Sequence, residues 1–297
     1  MVDPDTPRAE SVAREFGCRS FGSIQQLTTT HSEVQAASVA VPTIHHLSAA
    51  QQLMEAGVDV LIEKPLATSL AEADELIRMA ERLGRIVQVG HLERFNPAVR
   101  AAVPVITRPM FFEVHRLSVF TPRSLDVDVV LDLMIHDLDI VLSFANSPIK
   151  EVRAVGLPIL SGKADIANVR LEFESGCVAN FTASRVSTER VRKLRFFQPK
   201  QYVSLDYGRQ DVLVFTVGTD AAAGAPSVNP QIQMAKLPTT NEEPLHAELK
   251  SFLDSVERRT QPTVTLGDGR RALAVALDIV SAIRTHGKKI DLDRLHA

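Results

Sequence analysis

The stretch Gly57-Val-Asp-Val-Leu-Ile-Glu63-Lys64-Pro65 decides how the first third of this chain is read. A short apolar run ends abruptly on an acid, a lysine and a proline. Proline removes a backbone donor and fixes φ, so the strand stops there and Lys64 takes a set direction. Helical spacing over residues 44–56, closed by Gly57, precedes the run; an amphipathic pattern from Leu70 to Leu83, closed by Gly84, follows it. A strand between helices of this length is part of a βαβ unit, and such units build parallel sheets. At the carboxyl end of a parallel strand, Lys64 stands at the edge where open α/β sheets bind ligands.

The same alternation extends to either side. Pro7 to Phe16 reads as a helix closed by Gly17, Ala36 to Val41 as a short apolar run ended by Pro42, and Ile86 to Val89 as a third run. After Pro97 the texture changes. Segments 110–118, 150–159, 165–175, 177–186, 191–198, 200–206 and 210–217 are strand-like, with a hairpin turn at Glu174-Ser175-Gly176-Cys177. Helical patterns accompany them over 128–146, 243–259 and 268–286, and 219–229 reads as an exposed loop. The expectation is an α/β protein of two domains. Residues 1–92 form a parallel-sheet domain, and residues 93–297 an α+β domain with a large, mainly antiparallel open sheet.

Composition narrows the function classes. A net charge of −3 over 297 residues gives no basic surface for nucleic acid, and the absence of tryptophan with 5% aromatics leaves no stacking platform for single strands. No apolar run has the roughly 18 to 20 residues needed to span a bilayer. The start, Met1-Val-Asp-Pro-Asp, lacks the pattern of a signal peptide. Cys18 and Cys177 match no disulfide framework, zinc or redox spacing, so the expected setting is cytoplasmic with reduced thiols.

Four groups of residues carry the chemistry. Lys64 can orient a hydroxyl and stabilise the charge that develops on its oxygen; the plainer reading is a surface lysine at a strand end. Asp132 and His136, spaced i and i+4 on the helix over 128–146, share a face, which suits a histidine acid–base supported by a carboxylate. The apolar residues around them, among them Val129, Val130, Leu133 and Ile135, leave little room for a solvated face. A metal reading of Asp132, His136, Asp137 and Asp139 is weaker, since no second ligand pair stands at useful spacing. Val89-Gly90-His91-Leu-Glu93-Arg94-Phe-Asn96-Pro97 falls at the junction of the two domains, where Arg94 and Asn96 suit hydroxyl or phosphate groups. Pro42-Thr43-Ile44-His45-His46 follows another strand end, with helix capping by Thr43 as its simpler reading. Arg116, Arg123, Arg185, Arg190, Arg192 and Arg195 are further candidates for an anionic ligand, beside the ordinary role of surface charge.

Together, Ala40-Val-Pro-Thr43, Glu63-Lys64-Pro65, the Asp132-to-His136 helix and Glu243-Pro-Leu-His-Ala-Glu248 resemble, in order and spacing, the glucose–fructose oxidoreductase/inositol dehydrogenase (Gfo/Idh/MocA) family of nicotinamide-dependent enzymes. The resemblance runs from Met1 to the last helix. It implies a Rossmann-type dinucleotide domain followed by an open-sheet domain that commonly forms homodimers or homotetramers. Lys64 would correspond to the family's substrate-orienting lysine, His136 to its acid–base and Asp132 to the carboxylate one turn earlier. Asp3, Pro42, Thr43, His46, Glu63 and Lys64 would face NAD, or NADP. His91, Arg94, Asn96, Arg116 and Arg123 would face the substrate. No metal is implied.

The 90–97 segment and Val130-Leu-Asp132-Leu-Met-Ile-His136-Asp-Leu-Asp139 are most similar to the branch acting on UDP-activated amino sugars. Many relatives carry glycine where this chain has Val129, Val130 and Met134. The implied reaction is oxidation of UDP-N-acetylglucosamine to its 3-keto form, a step toward a diamino sugar for lipid A. The alternatives are a dehydrogenase for inositol or free sugars, and a non-catalytic sugar- or nucleotide-binding member of the fold. In the family, Val2-Asp3-Pro4-Asp5 resembles the end of the second strand. The first strand, a Gly-x-Gly-x-x-Gly turn and the first helix are therefore expected upstream of this chain's Met1.

Overall fold

The computed structural model describes residues 1–121, 127–218 and 231–289. They form two compact units, Met1–Gly90 with Leu249–Arg270, and His91–Glu248 with Arg271 onward. The sequence division at residue 92 lies beside the observed junction, whereas the return of 249–270 to the first unit has no counterpart in that reading.

The first unit runs α1 (Thr6–Phe16), α2 (Ile24–Thr30), β1 (Ala36–Val39), α3 (His46–Glu55), β2 (Asp59–Glu63), α4 (Leu70–Leu83) and β3 (Val87–Gly90). The strands form a parallel sheet in the order β1-β2-β3, with Val39 opposite Ile62 and Glu63 opposite Gly90. Val60, Leu61 and Ile62 are fully buried, as a strand covered on both faces requires. The helix α4 has the bounds that its sequence pattern predicts. Ser69 caps it by accepting from the Glu72 amide, Leu76 and Met79 bury one face, and Gly84 ends it at φ 61°, in the left-handed region. Val2 and Phe21 add an isolated parallel bridge.

The returning segment is fastened to this sheet by specific bonds. Arg259 donates to the buried Asp59 carboxylate and, at 2.7 Å, to the Gly84 carbonyl, while the Val89 amide donates to the Val264 carbonyl at 3.1 Å. Behind β3, a Cβ placed on Gly269 would lie 2.8 and 3.0 Å from the Val89 methyls.

The second unit holds α5 (Pro97–Ala102), β4 (Phe111–Val119), α6 (Ile135–Ala145), β5 (Ile149–Leu157), β6 (Ile166–Phe173), β7 (Val178–Ser187), β8 (Val191–Gln198), β9 (Gln201–Asp206), β10 (Asp211–Gly218) and β11 (Gln231–Lys236). The helices α7 (Pro244–Arg258) and α8 (Leu266–Lys289) each cross from one unit to the other along the chain. Eight strands form one sheet in the order β11-β10-β9-β8-β4-β7-β6-β5, antiparallel throughout except for the parallel pair β4–β7. Its inner face, with Phe112, Phe173, Phe181, Phe196 and Leu205, shares one core with Leu138 and Val141 of α6 and Ala276 and Ile279 of α8.

Other features depart from the sequence reading. The helices α2 and α5 and the strand β11 have no counterpart in it, and the 219–229 loop lies outside the described residues. The helix expected over 128–146 opens instead as a π-helical turn, Val130–Met134, closed by the Ile135 amide on the Val130 carbonyl, before α6 begins.

Replacing Gly269 by alanine sets two effects against each other. Helix propensity would gain about 1 kcal/mol, but overpacking a β-branched neighbour that is itself buried costs about 1–3 kcal/mol. The expected outcome is net destabilisation, read as a lower midpoint in urea unfolding; an equal or higher midpoint would show that Val89 yields without cost.

Candidate active site

In the first unit, three loops leave the carboxyl ends of parallel strands at one edge of the sheet: the segments after Val39, Glu63 and Gly90. Pro42 precedes a 3-10 turn, Thr43–His45, that leads into α3. His46 is buried and ties two of these loops together. Its Nε2 lies 3.0 Å from the Val41 carbonyl oxygen, and its Nδ1 lies 3.0 Å from that of Pro65 and 3.3 Å from that of Leu66. Both ring nitrogens thus face backbone, so His46 shapes the loop around Lys64 from behind.

Lys64 is half-buried, and its bond to Pro65 is cis. The Glu63 carboxylate accepts from the Lys64 amide at 3.3 Å and lies against Gly90, where a Cβ would come within 2.9 Å of Oε2. Glycine at 90 is therefore what lets Glu63 turn in beside the lysine. Asp3 follows the Val2 bridge. It accepts from the Asp5 amide at 2.9 Å and from Arg8 Nε and Nη2 at 2.6 and 2.8 Å, in a forked pair. The Arg8 guanidinium, with the Asp5 amide, holds the Asp3 carboxyl below the usual carboxylate range.

In the second unit, Asp132 lies in the π-turn and His136 at the start of α6, both half-buried. The residues around His136 point inward and are held by arginines. Asp137 and Asp139 are buried. Arg94 forks onto Asp139 at 2.5 and 2.8 Å. Arg116 forks onto Asp137 at 2.5 and 3.0 Å, donates to Glu93 at 3.0 Å, and lies over the Tyr207 ring. Burial works against charge on Arg116, but Asp137 and Glu93 more than offset it and push its pKa up. Burial and the same two acids push the Tyr207 hydroxyl well above its ordinary value.

Asn96 completes the group. Its amide nitrogen donates to Glu93 at 3.0 Å and to the Tyr207 carbonyl at 3.1 Å, and its oxygen caps α5 at the Ala98 amide. Of the residues expected to face substrate, Arg116 and Asn96 thus spend their bonds inside the protein, and Arg94 gives one edge of its fork to Asp139. His91 follows β3 and is buried. Arg123 lies outside the described residues.

The structure also supplies what the sequence reading lacked, namely Glu93, Asp137, Asp139 and Tyr207 as the partners of those cations. The visible signal was an acid at one and three positions after His136, on a helix otherwise apolar. Arg185, considered for an anionic ligand, is instead buried against Asp165 at 2.7 Å. Arg195 bonds Glu113 at 3.2 Å on the outer sheet face.

Residues 1–91 match the profile of the oxidoreductase family with an NAD-binding Rossmann fold, and residues 73–200 match the GFO/IDH/MocA C-terminal domain. The UDP-N-acetylglucosamine 3-dehydrogenase of Acidithiobacillus ferrooxidans is 37% identical over 285 residues, covering 95% of this chain and 88% of the relative. A solved structure of that enzyme superposes with a TM-score of 0.87 at 35% identity, over 96% of this chain and 89% of the other. The scyllo-inositol 2-dehydrogenase (NAD(+)) of Bacillus subtilis is 26% identical, over 98% of this chain and 87% of its own length. The parallel-sheet unit, the open-sheet unit and these relatives together place the chain in the Gfo/Idh/MocA family of NAD-binding oxidoreductases.

Proposed function

We propose that the protein oxidises a ring hydroxyl of a nucleotide sugar, with UDP-N-acetylglucosamine going to its 3-keto form. The observation that carries the chemistry is the half-buried His136 set one turn after Asp132 on a π-turn, in a chain that also keeps Lys64 at the end of β2. The 37% identity to a UDP-N-acetylglucosamine 3-dehydrogenase carries the choice of substrate. A 3-keto sugar suits later transamination, consistent with a place in the supply of a diamino sugar for lipid A.

The residues present fit NAD in chemistry. Asp3, kept ionised by Arg8, can accept ribose hydroxyls, and Pro42, Thr43, Glu63 and Lys64 follow the carboxyl ends of parallel strands, where dinucleotides bind. When bound, NAD supplies the hydride acceptor. The protein supplies the rest. His136 takes the hydroxyl proton, and Asp132 supports the resulting imidazolium. Lys64 donates to the substrate oxygen and steadies the charge that grows on it. His91 and Arg94 are the polar groups offered to the sugar, whereas Arg116 holds the helix that presents His136 and Asn96 orients Glu93 beside it.

We also propose a cytoplasmic homo-oligomer formed through the open sheet. Both cysteines are free, and no helix among the described residues is long and apolar enough to cross a membrane. On the outer sheet face, Phe111, Phe197, Tyr202, Phe215 and Met234 are register partners across five adjacent strands. Successive rings lie 5.8, 4.8 and 5.1 Å apart. An aromatic row beside the Glu113–Arg195 ion pair is a surface that a second copy can match by two-fold symmetry.

Two measurements test these readings. In a panel of UDP-sugars and polyols followed by NADH absorbance, full-length protein should turn over UDP-N-acetylglucosamine, and Lys64→Ala should lower kcat by about 10²–10³-fold. Turnover of inositol alone would move the protein to the polyol branch, and near-normal activity of the variant would remove Lys64 from the chemistry. In sedimentation, Tyr202→Lys should raise the dissociation constant of the oligomer at least tenfold or so; a monomeric parent protein would end the oligomer proposal.

A further inference from the structure

Outside the groups assigned above, the strongest feature is a buried ion pair next to the π-turn. Arg185, near the end of β7, and Asp165, just before β6, are both almost wholly inaccessible to solvent. Among its bonds to described residues, the Arg185 guanidinium reaches three oxygens: Nε to Asp165 Oδ1 at 2.7 Å, Nη1 to the Val127 carbonyl at 2.7 Å, and Nη2 to Ser161 Oγ at 3.0 Å. Asp165 in turn gathers the 159–161 loop. Its Oδ2 accepts from the amides of Ile159, Leu160 and Ser161 at 2.7, 2.6 and 2.9 Å, and its Oδ1 accepts from the Ser161 hydroxyl at 2.7 Å. Burial alone would raise this carboxyl, but those backbone and hydroxyl donors hold it far below the ordinary carboxylate range.

The residue before Asp165, Ala164, clips the entry of the π-turn from both sides. Its carbonyl accepts from the Val129 amide at 3.0 Å, and its amide donates to Asp128 Oδ1 at 3.2 Å. The Asp128 carbonyl then accepts from the Leu131 and Asp132 amides, both at 3.0 Å, and the π-turn begins. An unbroken path of bonds therefore leads from Arg185 and Asp165, through Val127 and Ala164, to Asp132.

A π-turn accommodates one more residue than an α-turn, and it persists only where its surroundings over-determine it. Releasing its entry lets the chain relax by one residue, which turns everything before the relaxed point by about 100° around the helix axis. Asp132 precedes that point and His136 follows it. Lysine cannot take the place of Arg185, since a single ammonium on a flexible stem cannot hold three oxygens in one plane.

We propose that Arg185 and Asp165 are positioning residues that hold the π-turn in register and thereby fix the direction of Asp132 relative to His136. The proposal rests on the reading of His136 as the acid–base of the site. It adds to that machinery two residues that touch neither substrate nor cofactor.

The test compares Arg185→Lys and Ser161→Ala with the parent full-length protein. It uses the pH profile of kcat, the sugar KM, thermal unfolding, and NMR titration of the His136 ring assigned through His136→Gln. In folded Arg185→Lys, kcat should fall on the order of 10²-fold, with KM nearly unchanged and the acid limb of the profile displaced. The His136 titration midpoint should move by about half a pH unit as the carboxylate turns away. Ser161→Ala should give smaller changes of the same kind. An unchanged pH profile and an unchanged His136 titration in folded Arg185→Lys would overturn the proposal. If Arg185→Lys does not fold, the same two readings on Ser161→Ala decide, and no change there overturns it equally. A parent protein without dehydrogenase activity would end the functional reading alone, and the His136 titration would still judge the clamp.

Discussion

Arg116, sealed between Asp137 and Glu93 and laid over the Tyr207 ring, is the interaction on which the placement of α6 in the second unit depends. Removing one partner of such a buried pair costs about 3–5 kcal/mol, whereas replacing the whole set by apolar side chains is often neutral. Stability alone therefore does not account for the charges. What they provide is direction. A forked guanidinium accepts one orientation of its carboxylate, so the Arg116–Asp137 and Arg94–Asp139 pairs fix the rotation of α6 about its own axis at two points, on either side of one residue. With Asp137 and Asp139 turned inward, His136 beside them keeps a half-buried position. An all-apolar helix could slide or turn against the sheet at small cost, because apolar contacts carry no such angular preference.

The candidate residues of the first unit and those of the second are ordered by different physics. Around Lys64 the constraints are backbone ones: strand ends in register, a proline, a glycine at 90 that admits the Glu63 carboxylate, and His46 drawing the Val41 and Pro65 carbonyls together. Around His136 they are long-range side-chain pairs. This difference decides what the sequence disclosed. The helix Leu70–Leu83 was legible to the residue, because its cap Ser69, its stop Gly84 and its apolar spacing are all local. The position of Lys64 just past the end of a parallel strand was legible for the same reason, since that end can be read from the run and the proline.

The roles of Arg94, Asn96 and Arg116 were not legible. Arg94 and Asp139 stand 45 positions apart, and Asn96 and Tyr207 stand 111 apart. An arginine bound to a protein carboxylate and one awaiting a ligand are the same letter, and only the fold tells them apart. The return of 249–270 to the first unit escaped for a related reason. Its anchors, Arg259 on Asp59 and Gly269 against Val89, join distant residues, and the helical pattern of α7 carries no mark of the crossing.

The π-turn is the instructive case, because the local signal was strong and still incomplete. Apolar periodicity over 128–146 correctly announces a helix, and the spacing of four positions from Asp132 to His136 brings them to one face in an α-helix. The extra residue of the turn is imposed from outside, by bonds from Ala164 to Val129 and Asp128. Nothing in the helix's own residues requires it. Substitutions in the 159–165 loop or at the end of β7 can therefore alter the geometry of Asp132 while leaving the helix sequence untouched. By the same logic, positions 129 and 130 can be valines. The entry to the helix is held by its neighbours' carbonyls and amides, and its own side chains are free to fill the core.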